Sequence, residues 1–559
     1  MGYSEEPGHV LTKRWLRSLA SLDRDDPQPT IHLFRQSFHS VWQANTSSTL
    51  LVQIAWRYPS ASRKIVLLLR IMKKFFKLIF AVGFSALIVL AIIFIFKTLS
   101  FTSKQLAAVK PIEKIELDDK CTQRFISSIQ IPTLSYADRI DTLAFENLDS
   151  LFRKNYPLLY ARTHLQPINE FSNIYKWKGR DPNLLPVLLI GHTDVVPIEN
   201  EDAWEQGPFS GAIKDGYIWG RGTLDDKINV VGLMEAATML LQDEYMPMRD
   251  IYFAFGHDEE VGGKAGAKAM AAYFAENNIQ FEFVLDEGLV VLKEALDGLD
   301  PPLAMIGVAE KGFANMQLSV ELAAGGHSSM PPSNTAIGML ANAVARLSNK
   351  PFPARIDGAT RGLLEYAGPE MTLFNKTLFA NLWATKGLIK NSLAKDATAA
   401  ALIRTTTAPT IFNGGIKDNV LPSQARAMVN FRILPGETVA SVKKHVEELI
   451  DNPAVKIAID ENFSSNPTTV SSTTSFGFRV LQKTLQETHP ETIIAPGLVI
   501  AATDARSYSD VANDVYRFTP VCIDRDDIKR IHGNNERISV ENYHDAIRFY
   551  KRLMENVGK

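Results

Sequence analysis

Residues 78–96, nineteen in a row, carry no charge and consist almost wholly of Ile, Leu, Val, Phe and Ala. That approaches the ~20 residues a helix needs to cross a hydrocarbon core. A buried helix of a soluble domain rarely stays apolar on every face for so long. A cleaved signal peptide has an apolar core of about 7–15 residues that ends in small residues; here Phe94-Ile-Phe-Lys97 follows instead. A single retained transmembrane helix over 78–96 is therefore expected. Arg63, Lys64, Arg70, Lys73, Lys74 and Lys77 precede it, against Lys97, Lys104 and Lys110 behind it. The positive-inside bias keeps 1–77 in the cytosol and makes the rest lumenal or extracellular. Residues 1–72 show no periodicity, and Met72-Lys73-Lys74 would serve as a start.

The remaining length suffices for two or three domains. With 46% hydrophobic and 22% charged residues the composition is that of an ordinary globular protein, and a net charge of −2 supplies no field for nucleic acid. Cys121 and Cys522 are the only cysteines and neither has a partner at zinc-ribbon spacing, so both are expected free. Asn375-Lys-Thr and Asn462-Phe-Ser match the glycosylation triplet.

Beyond a polar stem at 98–133, strand and helix patterns alternate. Residues 184–190, 251–255 and 281–285 are short apolar runs suited to buried strands, with helical patterns at 226–242 and 265–276 between them. That order predicts an α/β fold, a mostly parallel sheet with helices on both faces. Past Gly312 the pattern changes. Strands at 315–322, 425–433 and 455–459 alternate with helical stripes through Leu340 and Val446, which predicts an inserted α+β unit. The expected organisation is a catalytic part at 98–312, an inserted lid at 313–463, and a return to the catalytic part at 464–559. Within the insert, 351–405 carries Leu373-Phe374, Leu378-Phe379 and Leu382-Trp383 at helical spacing. An extra helix packed on the lid is the plain expectation, and an acyl-chain groove or membrane-touching surface the sharper one.

Acidic and histidine residues collect where the strands end. His192 is followed by Asp194, placed to hold the imidazole's second nitrogen. Asp225-Asp226 stand before a helix, where acids favour the N-terminus but can also bridge two cations. Glu259-Glu260 follow an apolar strand, and acids so crowded stay ionised only when cations neutralise them. With Asp286 and His532 the set offers two imidazoles, flanking carboxylates and one spare carboxylate, as a pair of zinc ions requires. There is no G-x-S-x-G elbow, no G-x-G-x-x-G and no P-loop.

Six ordered motifs carry a resemblance. They are Gly191-His192-Thr-Asp194-Val-Val-Pro, Trp219-Gly-Arg-Gly-Thr-Leu-Asp225-Asp226-Lys, Asp258-Glu259-Glu260-Val-Gly-Gly, Leu285-Asp286-Glu-Gly, Gly325-Gly326-His327-Ser-Ser and Ile531-His532-Gly-Asn-Asn-Glu. Over about 120–559 the chain resembles the zinc-dependent exopeptidase and aminoacylase family, in the branch of carboxypeptidase S and the N-fatty-acyl-amino-acid synthase/hydrolases. The resemblance implies two zinc ions, one held by His192 and Asp286 and the other by Glu260 and His532, with Asp225 bridging. It implies Glu259 as general base and Asp194 as the support of His192. In the lid it implies His327 on the oxyanion and Asn419 and Arg432 on the substrate. The implied substrate is a small N-acyl amino acid or short peptide, cut at the amide next to a free carboxylate, with a homodimer formed through the lid. The rival expectation is a membrane-tethered binding protein on an inactive hydrolase fold.

Overall fold

The computed structural model describes residues 59–558, and the expected cytosolic segment lies largely outside them, at 1–58. Helix α1, Pro59–Ser100, contains the uncharged run. Its stretch Arg70–Ser100 is long and apolar enough to cross a membrane.

The large sheet has eight strands. In chain order they are β1 (His164–Ile168), β2 (Ser172–Trp177), β3 (Val187–His192), β4 (Ile251–Gly256), β5 (Phe281–Leu292), β6 (Leu303–Glu310), β11 (Ile493–Val499) and β12 (Ala512–Ile523), with β7 to β10 in a second sheet. Their spatial order is β11-β6-β12-β5-β3-β4-β2-β1. The block β12-β5-β3-β4 is parallel, as is β11 on β6, whereas β6/β12, β4/β2 and β2/β1 are antiparallel. The sheet is thus mixed and mostly parallel.

Alternation along β3 explains why it is apolar throughout. Val187 and Leu189 pack with Val230 and Met234 of α2 (Lys227–Gln242) and with Ile547 and Phe549 of the C-terminal helix, Val540–Val557. Leu188 and Ile190 face the other side, against Met270 and Phe274 of α3 (Ala267–Glu276). A strand covered on both faces has no position for a polar residue until it ends.

Only Lys311 separates β6 from β7 (Gly312–Glu321). With β8 (Thr406–Gly414), β9 (Gln424–Ile433) and β10 (Val455–Ser465), β7 forms an antiparallel sheet in the order β8-β9-β7-β10. Met316, Leu318 and Phe431 from it close an independent core with Leu340 of α4 (Ala336–Asn349) and Val446 of α9 (Val439–Ile450). At Gly312 the outgoing chain passes so close to the returning one that a Cβ would lie 2.5 Å from Pro467 N.

The segment 351–405 differs from its plain expectation. It forms four helices: α5 (Gly358–Ala367), α6 (Leu373–Ala380), α7 (Leu382–Leu393) and α8 (Ala397–Ile403). Ala359, Leu363, Tyr366 and Met371 join the core of the large sheet, not that of the second. Gly362 lets α5 approach β11, since a Cβ there would sit 2.7 Å from Pro496. Buried Lys311 fixes the last turn of α8 by donating to the carbonyls of Ala401 and Arg404, at 2.9 and 2.8 Å. Cys121 and Cys522 are free. The Asn375 amide donates to the Asp297 carbonyl at 2.8 Å.

Candidate metal centre

β3 runs two residues further than its apolar pattern and delivers His192 at its C-terminal end. The preceding residue must be glycine, because a Cβ at Gly191 would meet Asp226 Oδ2 at 2.6 Å. That oxygen accepts the His192 backbone N–H at 3.0 Å, so the strand end and the start of α2 are tied together. Asp225 and Asp226 are joined by a cis peptide bond.

Asp225 stands between two imidazoles. Its Oδ1 lies 3.0 Å from His192 Nε2 and its Oδ2 3.0 Å from His532 Nε2. His532 Nε2 is also 3.2 Å from Glu260 Oε1. Asp194 supports the other side of His192, with Oδ1 3.2 Å and its backbone carbonyl 3.0 Å from Nδ1. The same carboxylate accepts the N–H groups of Glu259 and Glu260, at 3.2 and 3.1 Å. One buried aspartate therefore orients the imidazole and the adjacent acid pair together.

Glu536 performs a comparable task that the motifs do not reveal. It accepts the N–H groups of Gly222, Leu224 and Asp225 and the Arg221 guanidinium, which fixes the turn carrying Asp225. The signal was present, four residues after His532 in the last motif, but nothing in one dimension says which turn it reaches.

Asp286 is not placed as expected. Its oxygens accept the N–H groups of Glu287 and Ala505, at 2.9 and 2.7 Å. Glu287 instead brings Oε1 to 3.3 Å from His192 Nε2. The cause is a β-bulge. Arg517 of β12 pairs with Asp286 but Phe518 pairs with Leu289, so Glu287 and Gly288 are extra residues that re-aim the strand. Gly288 has φ +141°, and a Cβ there would lie 2.7 Å from that of Arg517. Of this motif's two acids, Glu287 is the one within ion-pair reach of His192.

The charges are badly balanced for a cluster without cations. Burial, with Asp225 close by, pushes Glu287 up to about 8, and burial pushes Asp286 up to about 6. Burial also raises Glu259 well above the carboxylate range, with Asp504, Glu287 and Glu260 adding to it. The carboxylates of Asp225 and Glu260, 3.0 and 3.2 Å from its Nε2, lift His532 to about 10. Asp225 is held far below the usual range although burial opposes it, because both imidazoles face it. Glu260 Oε1 is buried and receives no well-directed hydrogen bond despite its distance to His532, which suits a metal ligand better than a hydrogen-bond acceptor. His192 with Glu259 and Glu260, His192 with Asp226 and Glu287, and Asp225 with Glu260 and His532 each gather within metal-binding reach. Imidazole and carboxylate donors without thiolate fit zinc.

The second-sheet residues stand apart. His327 is exposed on the short strand Gly326–His327, paired with Val420–Leu421, and its Nδ1 lies 2.8 Å from Ser329 Oγ. The Asn419 carbonyl accepts the Ser328 N–H at 3.2 Å. Among the described residues, no hydrogen bond or ion pair joins His327, Asn419 or Arg432 to the acidic cluster. Arg432, exposed on β9, lies 5.9 Å from the centre of the Phe313 ring, and Arg506 lies 5.2 Å from the same ring. Arg506 is a second cation that sequence reasoning missed, since it follows Asp504 in a short 3-10 turn with no pattern of its own.

The chain is similar to known proteins in both sequence and fold. The model of Peptidase family M20/M25/M40 matches residues 188–556. Probable carboxypeptidase S-like 2 of Dictyostelium discoideum is 40% identical over 497 residues, 87% of this chain and 95% of that protein. The N-fatty-acyl-amino acid synthase/hydrolase PM20D1 of Homo sapiens is 38% identical over 434 residues, 77% of this chain and 86% of that one. Among solved structures, the M20 family metallo-carboxypeptidase Sso-CP2 from Sulfolobus solfataricus shares the fold with a TM-score of 0.58 at 18% identity, covering 79% of this chain and 100% of that chain.

Proposed function

The chain belongs to peptidase family M20/M25/M40, a family of metallopeptidases, and from that premise we propose that it hydrolyses the amide next to a free carboxylate in N-acyl amino acids or short peptides. The observation that carries this reading is Asp225 set between His192 and His532 with Glu259 uncommitted beside them. His192 and Glu287 would hold one zinc and Glu260 and His532 the other, with Asp225 shared. Zinc held by these residues would supply a water of lowered pKa, toward ~7, and a polarised scissile carbonyl. Glu259, its pKa raised by burial, takes the proton from water and delivers it to the departing amine nitrogen. The relatives' names, carboxypeptidase S-like and N-fatty-acyl-amino acid synthase/hydrolase, support a carboxylate-bearing product and a reaction that runs in both directions.

Arg432 and Arg506, gathered around Phe313, supply positive charge for that carboxylate. The second sheet serves as a lid, hinged at the contact of Gly312 with Pro467, and its closure brings His327 and Asn419 to the oxyanion and substrate. Residues 78–96 anchor the protein, with the catalytic part lumenal or extracellular.

Glu259→Gln should keep both metals yet lose at least ~10²-fold in kcat, since it removes the proton carrier and no ligand. Near-normal turnover in that variant would sink the mechanism. A metal-loaded wild type that turns over no N-acyl amino acid or dipeptide would instead favour the tethered binding protein. Capping the substrate as an amide should cost ~2–5 kcal/mol in kcat/KM, and Arg432→Ala should erase that difference.

A further inference from the structure

The α6–α7 hairpin is clasped to the end of the apolar helix. Buried Asn381, between α6 and α7, donates from Nδ2 to the Phe94 carbonyl at 3.3 Å and to Thr98 Oγ1 at 3.4 Å. It is held there by the Thr377 carbonyl, 2.9 Å from the same nitrogen, and by Trp383 Nε1, which donates to its Oδ1 at 3.3 Å. The Trp383 ring meets Phe94 edge-on, with centroids 5.6 Å apart. Yet the hairpin turns large apolar residues outward: Leu373 is 73% exposed, Phe374 72%, Trp383 55% and Leu388 68%. Large apolar side chains gathered on one hairpin and left in water are costly.

Charge identifies what covers it. Residues 372–395 contain Lys376, Lys386, Lys390 and Lys395 and not one Asp or Glu. Leu, Phe and Trp flanked by lysines on short helices are the composition of an element lying in a membrane interface. Phe96 and Leu99, in the turns of α1 that fold with this hairpin, are exposed and apolar too. The helix that ends at this hairpin is itself long and apolar enough to cross a membrane, which makes a bilayer surface the occupant at hand.

We propose that the α6–α7 hairpin is a membrane-docking element that seats Leu373, Phe374, Trp383 and Leu388 in the boundary between headgroups and acyl chains, with Lys376, Lys386 and Lys395 on anionic headgroups while Lys390 is held by the Ala354 carbonyl. It rests on the reading of 78–96 as an anchor. The hairpin gives the catalytic part a second hold on the lipid surface. Because α5 and α8 tie the hairpin to the large sheet, that hold fixes the sheet's height above the bilayer.

The test uses the full chain in phosphatidylcholine vesicles with and without phosphatidylserine. Nitroxides are placed one at a time through Phe374→Cys, Leu388→Cys, Leu87→Cys in the apolar helix, and Lys444→Cys on exposed α9. The unsubstituted chain, with its buried Cys121 and half-buried Cys522, sets the background. Collision with oxygen and with a water-soluble nickel complex is then read by power saturation. Positions 374 and 388 should show a several-fold loss of nickel collision relative to 444, and a deeper loss with phosphatidylserine. Nickel collision at 374 and 388 equal to that at 444 overturns the proposal, and so does protection accompanied by spin–spin broadening, which means a second copy covers the patch. Position 87 reports separately: water exposure there overturns the anchor reading, whatever the hairpin does.

Discussion

Asp286 and Glu287 are neighbours with opposite surroundings. The first has its oxygens engaged by two backbone N–H groups, while the second has a free carboxylate against His192. Glu287→Ala should therefore lose one of two bound metal ions, counted by elemental analysis of the purified chain. Asp286→Asn should retain both and weaken binding by only ~10–100-fold, as changes to the outer partners of a metal site do. A reversed pattern would return the ligand role to Asp286. Sequence does not separate this pair for a local reason: both acids lie in one short motif, and the bulge opposite Arg517 is what brings Glu287 to His192. His192, Asp194, Asp225, Glu259 and Glu260 were legible because they stand where an apolar run ends or a helix begins, whereas His532, in a turn between Ile528 and Arg537, was visible only through its motif. Glu536 and Arg506 were not, since what they do depends on segments hundreds of residues away.

At the scale of elements, the bulge in β5 is itself testable. Gly288→Ala combines a positive φ with a 2.7 Å approach to the Arg517 Cβ, whereas Gly216→Ala, at φ +78°, has nothing nearby. Strain of this type costs about 1–3 kcal/mol. Gly288→Ala should lower the denaturation midpoint more than Gly216→Ala and should also weaken metal binding, because Glu287 rides on the bulge. Equal losses, with metal affinity intact, would mean that the strand reshapes without moving the carboxylate. The helices and strands themselves were largely readable. The helical stripe through Val446 is α9, Val439–Ile450, and the one through Leu340 is α4, Ala336–Asn349. Periodicity says which face of an element is apolar but not which partner covers it. That is why 351–405 could be read as holding an extra helix, while its four helices and their docking on the large sheet could not.

The whole molecule is poised around a buried surplus of acid, and its stability should show it. Without metal, Glu287 titrates near 8 and Asp286 near 6, both raised by burial, and Glu259, Glu260 and Asp226 are shifted the same way. A carboxylate whose pKa is raised on folding binds more protons folded than unfolded between its unfolded and folded values, so stability falls as pH rises through that window. His532, lifted to about 10 by Asp225 and Glu260, has the same sign: its contribution is full below the unfolded value and is lost as pH climbs toward 10. Asp194 and Asp225, both lowered, contribute above the ordinary carboxylate value and lose their part only in stronger acid. From pH 5 to about 8 the shifts within this cluster therefore pull the metal-free protein down, while Lys227, lowered by burial to about 7, and the lowered imidazoles of His257, His489 and His544 pull the other way. Metal binding reverses the slope, because ligands must shed protons before they coordinate, and the bound ion stabilises in proportion to its affinity. Thermal unfolding of the chelated protein should give a Tm that falls across this range, while the zinc-loaded protein should hold level or rise. Parallel slopes with and without metal would mean that the cations do not neutralise this cluster, and the assignment of Asp225 as the shared ligand would fall with them.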